Sequence, residues 1–390
     1  MHPKTSEKGK RTLYQVVIDD ILEQIAGGAF SFDKPICTES KLMEDYGISR
    51  ITARRAMTEL ENQGVLYRKR GVGSFVSRDI YAQQQPESTS KLFAFIFPFN
   101  PSRSGLNTAF QAANHMLIQG GYAASIYITE DTDEARGRTF LHQLAQMDVA
   151  GVAYYPKTSD AHLLLLNQLL FQGKSVVIMD LPDKCRYISS VSSDNFSGST
   201  QLMEHLLDLG HQRIAYLAGI SPDARSTVAD RMAGYVLSLE KAGLPIDDEL
   251  IVTDMTENAR RQTSGRGGQT ALQSTIQRLF ARGATAILCE HDQLAFETVI
   301  ACKELGISVP SQLSVCGFDN SEWAKILPDG ITTVEQDMEK MGIETAKLLL
   351  SGLTSPMSAA RQVVLPTHLV PGATTGPAPS TTTANGEEST

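Results

Sequence analysis

The chain has 390 residues, 42% of them apolar, and a formal net charge of −9. That length allows two or three cores, the apolar content is ordinary for a globular protein, and with no run of about 18 apolar residues no membrane span is expected. Five cysteines at 37, 185, 289, 302 and 316, scattered and without a C-x-x-C pair, predict reduced thiols rather than a disulfide framework or a zinc site. The segment Met1–Lys8 is charged with no apolar run behind it, unlike a secretion signal, so a cytoplasmic protein without metal or cofactor is expected.

The negative charge is unevenly spread. Through residue 79 there are 13 Lys and Arg against 11 Asp and Glu, whereas the remainder has 22 against 33. Between residues 50 and 78 seven basic residues stand against only Glu59 and Glu61. Local field governs phosphate contact, so this end can meet nucleic acid while the acidic remainder discourages it.

Residues 1–11 read as a flexible start. Leu13, Val17, Ile21 and Ile25 recur every four residues, the apolar stripe of a helix that stops at Gly27-Gly28. Thr38 is a suitable N-cap for a short helix through Tyr46, with Leu42 and Met43 inward and Gly47 ending it. Ser49 caps a third helix, with Ala53, Ala56, Met57 and Leu60 buried and Arg50, Thr52 and Arg54 pointing away. Val65–Tyr67 and Ser74–Val76 read as two strands joined by Arg70-Gly71-Val72-Gly73. Three helices followed by a basic hairpin is the winged helix-turn-helix plan, over residues 12–79. Arginines in the first turn of the third helix can reach guanine edges or clamp phosphates, and Ser49 can bond a phosphate near the positive helix terminus. A solvated basic face is the bland alternative.

Residues 80–91, with Gln83-Gln84-Gln85-Pro86, form a polar linker spanning at most about 40 Å. Beyond it, strands at Leu92–Phe97, Ala124–Thr129, Gly151–Tyr155, Ser175–Asp180, Arg213–Ala218, Ala286–Cys289 and Leu313–Phe318 alternate with amphipathic helices, the first around Ala109–Gln119. Such alternation predicts an α/β fold with parallel, doubly wound sheets, here two lobes over residues 92–370 with a ligand cleft at the strand ends. Phe99, Asn100, Asp180 and His291 follow strands and fall where cleft loops belong. Residues 371–390, rich in Pro, Gly, Ser and Thr, are expected to be disordered. No Walker-type loop, HExxH or GxSxG appears, and Ser264-Gly265-Arg266-Gly267-Gly268 lacks the Lys-Ser/Thr a phosphate loop needs. An enzyme is therefore not expected.

The head resembles the DNA-binding domain of the GntR family. The resemblance rests on Thr38-Glu39-Ser40-Lys41-Leu42, Tyr46-Gly47-Ile48-Ser49-Arg50-Ile51-Thr52-Ala53-Arg54-Arg55-Ala56 and Gly71-Val72-Gly73-Ser74-Phe75-Val76. The entry loop departs from it, with Ile36-Cys37-Thr38-Glu39 where the family usually has Leu-Pro-Ser-Glu. The resemblance implies DNA contact at Ser40, Ser49, Arg50, Thr52, Arg54, Arg70 and Gly71. The body resembles the LacI family's effector domain, which shares its fold with periplasmic sugar-binding proteins. The matching stretches are His205–Ala215, Asp230-Arg231-Met232-Ala233-Gly234-Tyr235, Leu305–Pro310 with Leu313–Asp319, and Thr332–Gln336 with Met341-Gly342. The resemblance implies ligand contact at Arg231 and Asp319, a guanidinium fork and a carboxylate suited to adjacent hydroxyls. The family often has Asn where His291 stands.

A GntR-like head on a LacI-like body resembles the arabinose repressor group. It implies a dimeric transcription regulator on a near-palindromic duplex DNA operator, released by a small sugar. An activator, or a response to a nucleobase or phosphorylated sugar, stays open. So does an architectural DNA-binding role in which the body only dimerises, while a transport-type binding protein is disfavoured by the expected lack of a signal peptide and by the winged-helix head.

Overall fold

The structure, a computed structural model, describes residues 13–26, 35–62, 65–69, 71–76, 90–101, 105–129, 140, 143, 144, 146–156, 165, 166, 169, 170, 172–180, 188–255, 267–354 and 360–379. The expected flexible start, most of the linker, Arg70 and Cys185 lie outside the described residues.

The head is built from α1 (Leu13–Ala26), α2 (Glu39–Tyr46), α3 (Arg50–Asn62) and the antiparallel hairpin β1 (Leu66–Lys69) and β2 (Gly73–Val76). Thr38 caps α2, its Oγ1 accepting from Lys41 N at 3.2 Å, and Gly47 ends the helix in the left-handed region at φ 61°. Ser49 caps α3, its Oγ accepting from Thr52 N at 3.2 Å. Val17, Ile18, Ile21, Leu42, Ala53, Ala56, Met57, Leu60 and Val76 form one core. Two expected inward residues are exposed: Leu13 opens α1 ahead of the turns packed on α3, and Met43 lies on the solvent side of α2.

The body begins with β3 (Leu92–Phe97), α4 (Gly105–Gln119), β4 (Ala123–Ile128), β5 (Gly151–Tyr154), β6 (Ser175–Met179) and β7 (Ser189–Ser193). It continues through α5 (Asn195–Asp208), β8 (Ile214–Leu217), α6 (Ser226–Lys241), β9 (Ile251–Val252), α7 (Gly267–Ala281), β10 (Ala286–Cys289), α8 (Asp292–Glu304) and β11 (Ser314–Cys316). It closes with β12 (Thr333–Gln336), α9 (Met338–Thr354), β13 (Gln362–Leu365) and β14 (Thr367–Val370). The first lobe is a six-stranded parallel sheet in the order β13-β7-β6-β5-β3-β4, the second a four-stranded parallel sheet in the order β11-β10-β8-β9. The inner strands of both sheets are buried on both faces, which is why β3 is an unbroken apolar run rather than an alternating one. Phe93, Phe95 and Phe97 pack under α4 and α9 while Ala94 and Ile96 face a separate cluster. In the second lobe Tyr216 packs under α5 and α6, and Ala215 and Leu217 under α7 and α8.

The chain crosses between lobes three times, at Asp194 after β7, at Asp337 after β12 and at Pro366 after β13. Asp194 ties two crossings together: its N donates to Leu365 O at 2.8 Å and its O accepts from Thr367 Oγ1 at 3.3 Å. Its carboxylate also caps α5 through Ser197 N at 2.9 Å.

The disordered tail expected from residue 371 is corrected for residues 371–379. Thr374 is buried, its Oγ1 donating to Val315 O at 2.6 Å and accepting from Thr332 N at 3.0 Å. Gly376 O accepts from His211 Nε2 at 3.0 Å, and Ala378 N donates to Leu209 O at 2.8 Å. Composition marked this stretch as unable to fold, yet it needs no core of its own: its threonine hydroxyls and amides pair with polar groups along β11 and β12.

Candidate functional site

Residues following the carboxyl ends of β3, β5, β6, β8, β10 and β11 meet between the lobes around a cavity of about 520 Å³. All six residues predicted for the cleft, Phe99, Asn100, Asp180, Arg231, His291 and Asp319, line it. Parallel strands deliver their carboxyl ends to one edge, so short loops from distant parts of the sequence converge there.

Arg231, on α6, is 6% exposed. Its Nε donates to Asn195 Oδ1 at 2.8 Å, its Nη1 to Glu290 O, and its Nη2 to Asp319 Oδ1 at 3.2 Å, with the guanidinium 3.7 Å from the centre of the Phe318 ring. Every edge of the fork is thus fixed before a ligand arrives. Asp319 also accepts from Gln336 Nε2 at 2.6 Å. Its side chain opens to the cavity rather than to bulk water; enclosure by protein raises its pKa, with Arg231 and His291 opposing that rise. Behind it Asp292 is fully buried, accepting from Thr333 Oγ1 at 2.5 Å and from Ser321 N at 2.7 Å. Burial, then the nearby Asp319 charge, pushes the Asp292 carboxyl up to about 7.

A second cluster spans the cleft. Asp180 and Tyr155 come from the first lobe and Arg225 from the second, immediately before α6. Arg225 Nη2 donates to Asp180 Oδ2 at 2.7 Å and also to Tyr155 OH, which itself donates to Asp180 Oδ2 at 3.1 Å. The other carboxylate oxygen, Asp180 Oδ1, is buried with no hydrogen-bond partner among the described residues. Such an orphan costs about 1–3 kcal/mol, and a donor entering the cavity would relieve it. Asp180 (φ 61°), Asp319 (φ 110°) and Asn320 (φ 48°) all hold left-handed backbone, a strain characteristic of ligand clamps. His291 caps α8, its Nδ1 accepting from Leu294 N at 3.1 Å, so that nitrogen is committed to the helix. Phe99 and Trp323 give the cavity aromatic faces.

Tyr155, Arg225, Glu290, Trp323 and Gln336 were not predicted. Tyr155 is the last residue of one predicted strand and Glu290 directly follows another, so both could have been found at the strand ends. Arg225 lies in an unpatterned Ser-Pro-Asp-Ala-Arg stretch that carries no local signal.

In the head, Ser49 caps α3, Arg50, Thr52 and Arg54 share its first turn and a half, and Ser40 lies exposed at the start of α2. Glu39 draws three basic residues together, accepting from Arg50 Nε at 3.0 Å, Arg54 Nε at 3.1 Å and Arg68 Nη2 at 2.6 Å. Those bonds, Arg68's first, hold the Glu39 carboxyl down to about 2. One carboxylate therefore gathers cations from the third helix and the wing onto one surface, a role the sequence did not disclose. Gly71 occupies the hairpin turn at φ 81°, where a side chain would be strained.

Two family models match the chain: bacterial regulatory proteins of the gntR family over residues 13–76, and a periplasmic binding protein-like domain over residues 203–375. The chain is thus a two-part molecule, a gntR-type helix-turn-helix domain joined to a periplasmic-binding-protein-like domain. It is similar to the arabinose metabolism transcriptional repressor of Halalkalibacterium halodurans, 28% identical over 356 residues that cover 87% of this chain and 89% of that protein. Among solved structures it resembles a transcriptional regulator CelR–cellobiose complex at 20% identity and TM-score 0.63, covering 94% of this chain and all of that one. It also resembles the lac repressor dimer bound to operator and the anti-inducer ONPF, at 21% identity and TM-score 0.60, covering 76% of this chain and 96% of that chain.

Proposed function

We propose that this chain is a transcriptional repressor whose head binds duplex DNA and whose body binds a small neutral sugar that releases the head from its operator. The observation that carries it is the union, in one chain, of an arginine-clustered winged helix with a cleft of preset guanidinium–carboxylate pairs. The names of the relatives support it: an arabinose repressor, a regulator holding cellobiose, and a repressor dimer on its operator.

In this reading residues 12–79 are the DNA-binding unit, 80–91 the tether and 92–379 the effector unit. DNA is met by Ser40, Ser49, Arg50, Thr52, Arg54, Arg70 and Gly71. The sugar is met by Phe99, Asn100, Asp180, Arg231, His291 and Asp319, with Tyr155, Arg225 and Gln336 added. Three carboxylates (Asp180, Glu290 and Asp319) stand beside two arginines already bonded to protein groups. That balance favours a neutral polyol over a phosphorylated sugar, and the aromatic faces suit a sugar ring. Two heads on a homodimer would read a near-palindromic site, since one winged helix contacts too few base pairs for genomic selectivity. The protein acts in the cytoplasm, where its DNA is, and no catalytic step is assigned to it. Sugar binding would shift the lobes about the three crossings, changing the spacing of the heads.

Fluorescence anisotropy with the full chain and a duplex selected from a random-sequence pool tests this. Pentoses, hexoses, disaccharides and sugar phosphates are added in turn. At least one neutral sugar should weaken operator binding by about tenfold or more. No response to any neutral sugar, or a response to sugar phosphates alone, overturns the reading.

A further inference from the structure

Ile51 is 82% exposed, the most exposed large apolar side chain among the described residues. It lies in the first turn of α3, between Arg50 and Thr52. At about 100° per residue, the buried stripe of Ala53, Ala56, Met57 and Leu60 lies roughly opposite to Ile51 around the helix. Arg50 and Arg54 are turned aside to Glu39 by their 3.0 and 3.1 Å bonds. Arg55 is turned the other way, its guanidinium 4.1 Å from the centre of the Tyr14 ring. Thr52 is bonded to Ser49, Oγ1 to Oγ at 2.9 Å. The polar neighbours are therefore each engaged to one side, and the side chain presented straight outward from the helix start is a branched hydrocarbon.

Single exposed apolar side chains are common on protein surfaces, but this one stands at the start of the helix that carries the arginines, where an apolar partner on the bound surface would bury it. Within the DNA reading of the head, which this inference rests on, the only such group on a base edge in the major groove is the thymine C5-methyl. Phosphate contacts fix position and carry no sequence information, and arginines read guanine edges, so an outward apolar residue adds a discrimination, for thymine, that the surrounding arginines do not supply. We infer that Ile51 is a specificity-determining residue of the head, seated against a thymine methyl in each half-site.

The test uses the full chain and a duplex selected by it from a random-sequence pool. Each thymine is replaced in turn by deoxyuridine, which removes only the methyl group. For the parent, one symmetry-related thymine position should lose about fourfold in affinity on replacement, the worth of one buried methyl. Ile51→Ala should bind the thymine duplex more weakly and lose that one sensitivity, while Ile51→Val retains part of it. Because Ile51 is exposed, both variants should unfold at the parent's temperature, which calorimetry checks. The inference alone is overturned if no replacement matters, or if Ile51→Ala keeps the parent's deoxyuridine profile. An equal loss on thymine and deoxyuridine duplexes also overturns it, because the partner of Ile51 is then not the methyl group. A parent that selects no sequence from the pool overturns the DNA reading itself.

Discussion

Removing the Arg231 side chain strips four contacts from the centre of the second lobe. Arg231→Ala leaves Asn195 Oδ1, Glu290 O and Asp319 Oδ1 each short of a donor and uncovers the Phe318 ring. Breaking a buried ion pair by deleting one partner costs about 3–5 kcal/mol. Asp319 opens to the cavity and keeps its bond from Gln336, so the lower end, about 3 kcal/mol, applies here. For a body of this size each kcal/mol lowers the midpoint by roughly 2–4 °C, giving a fall of roughly 6–12 °C. Differential scanning calorimetry should show it in the body's transition and not in the head's, whose core shares no residue with this cluster. The same variant should lose the sugar response while unliganded operator affinity stays within about threefold, under 0.7 kcal/mol. Arg231→Lys keeps the charge but not the fork and should recover part of the stability without the response. An unchanged body midpoint would mean that the Arg231 fork does not hold this cluster together, and a normal sugar response in Arg231→Ala would remove Arg231 from the sugar site.

Asp292 carries a pH prediction with a defined sign. Its folded pKa of about 7 lies above its ordinary value of 3.8, so the folded state holds the proton more tightly and the body should lose stability as pH rises from about 4 to 7. Asp292→Asn should flatten that slope in midpoint-against-pH scans, and an unchanged slope counts against the assignment. A Cβ added at Gly342 would lie 2.0 Å from Ala109 O, so Gly342→Ala should push α9 from α4 and cost about 1–3 kcal/mol in denaturant unfolding; a neutral result would mean the helices part freely. Arg54→Ala should weaken operator binding by about 1–3 kcal/mol and relax preference at one base pair. Its exposed bond to Glu39 adds at most about 1 kcal/mol to head stability. Equal affinity for the selected duplex would remove Arg54 from the readout.

The head's helices and hairpin and the body strands β3, β4, β5, β6, β8, β10 and β11 were legible because their signals are local, whereas β7, β9, β12, β13 and β14, short or polar, were not predicted. The run Leu92–Phe97 is apolar on both faces because its sheet is covered on both, and Thr38, Gly47 and Ser49 mark helix ends by their own chemistry. Arg231 and Asp319 were legible through short motifs around them. Relations between distant segments were not. Glu39 takes its meaning from arginines 11, 15 and 29 residues away, and Arg225 from a strand end 45 residues earlier. Leu13 and Met43 fit a helical apolar pattern but have no facing element, since periodicity specifies a stripe and not what covers it. The segment 371–379 was misjudged because composition measures the capacity to form a core, while this stretch is held by hydrogen bonds to strands already formed.

In the proposed function a free-energy coupling joins cleft and head, and such coupling is reciprocal. Isothermal titration of the effective sugar into the free chain, and into the chain saturated with its selected duplex, measures it directly. If the sugar weakens operator binding by a given factor, operator must weaken sugar binding by the same factor, expected between about 5-fold and 150-fold. Identical sugar affinity with and without operator would show head and body to be uncoupled and overturn release by sugar.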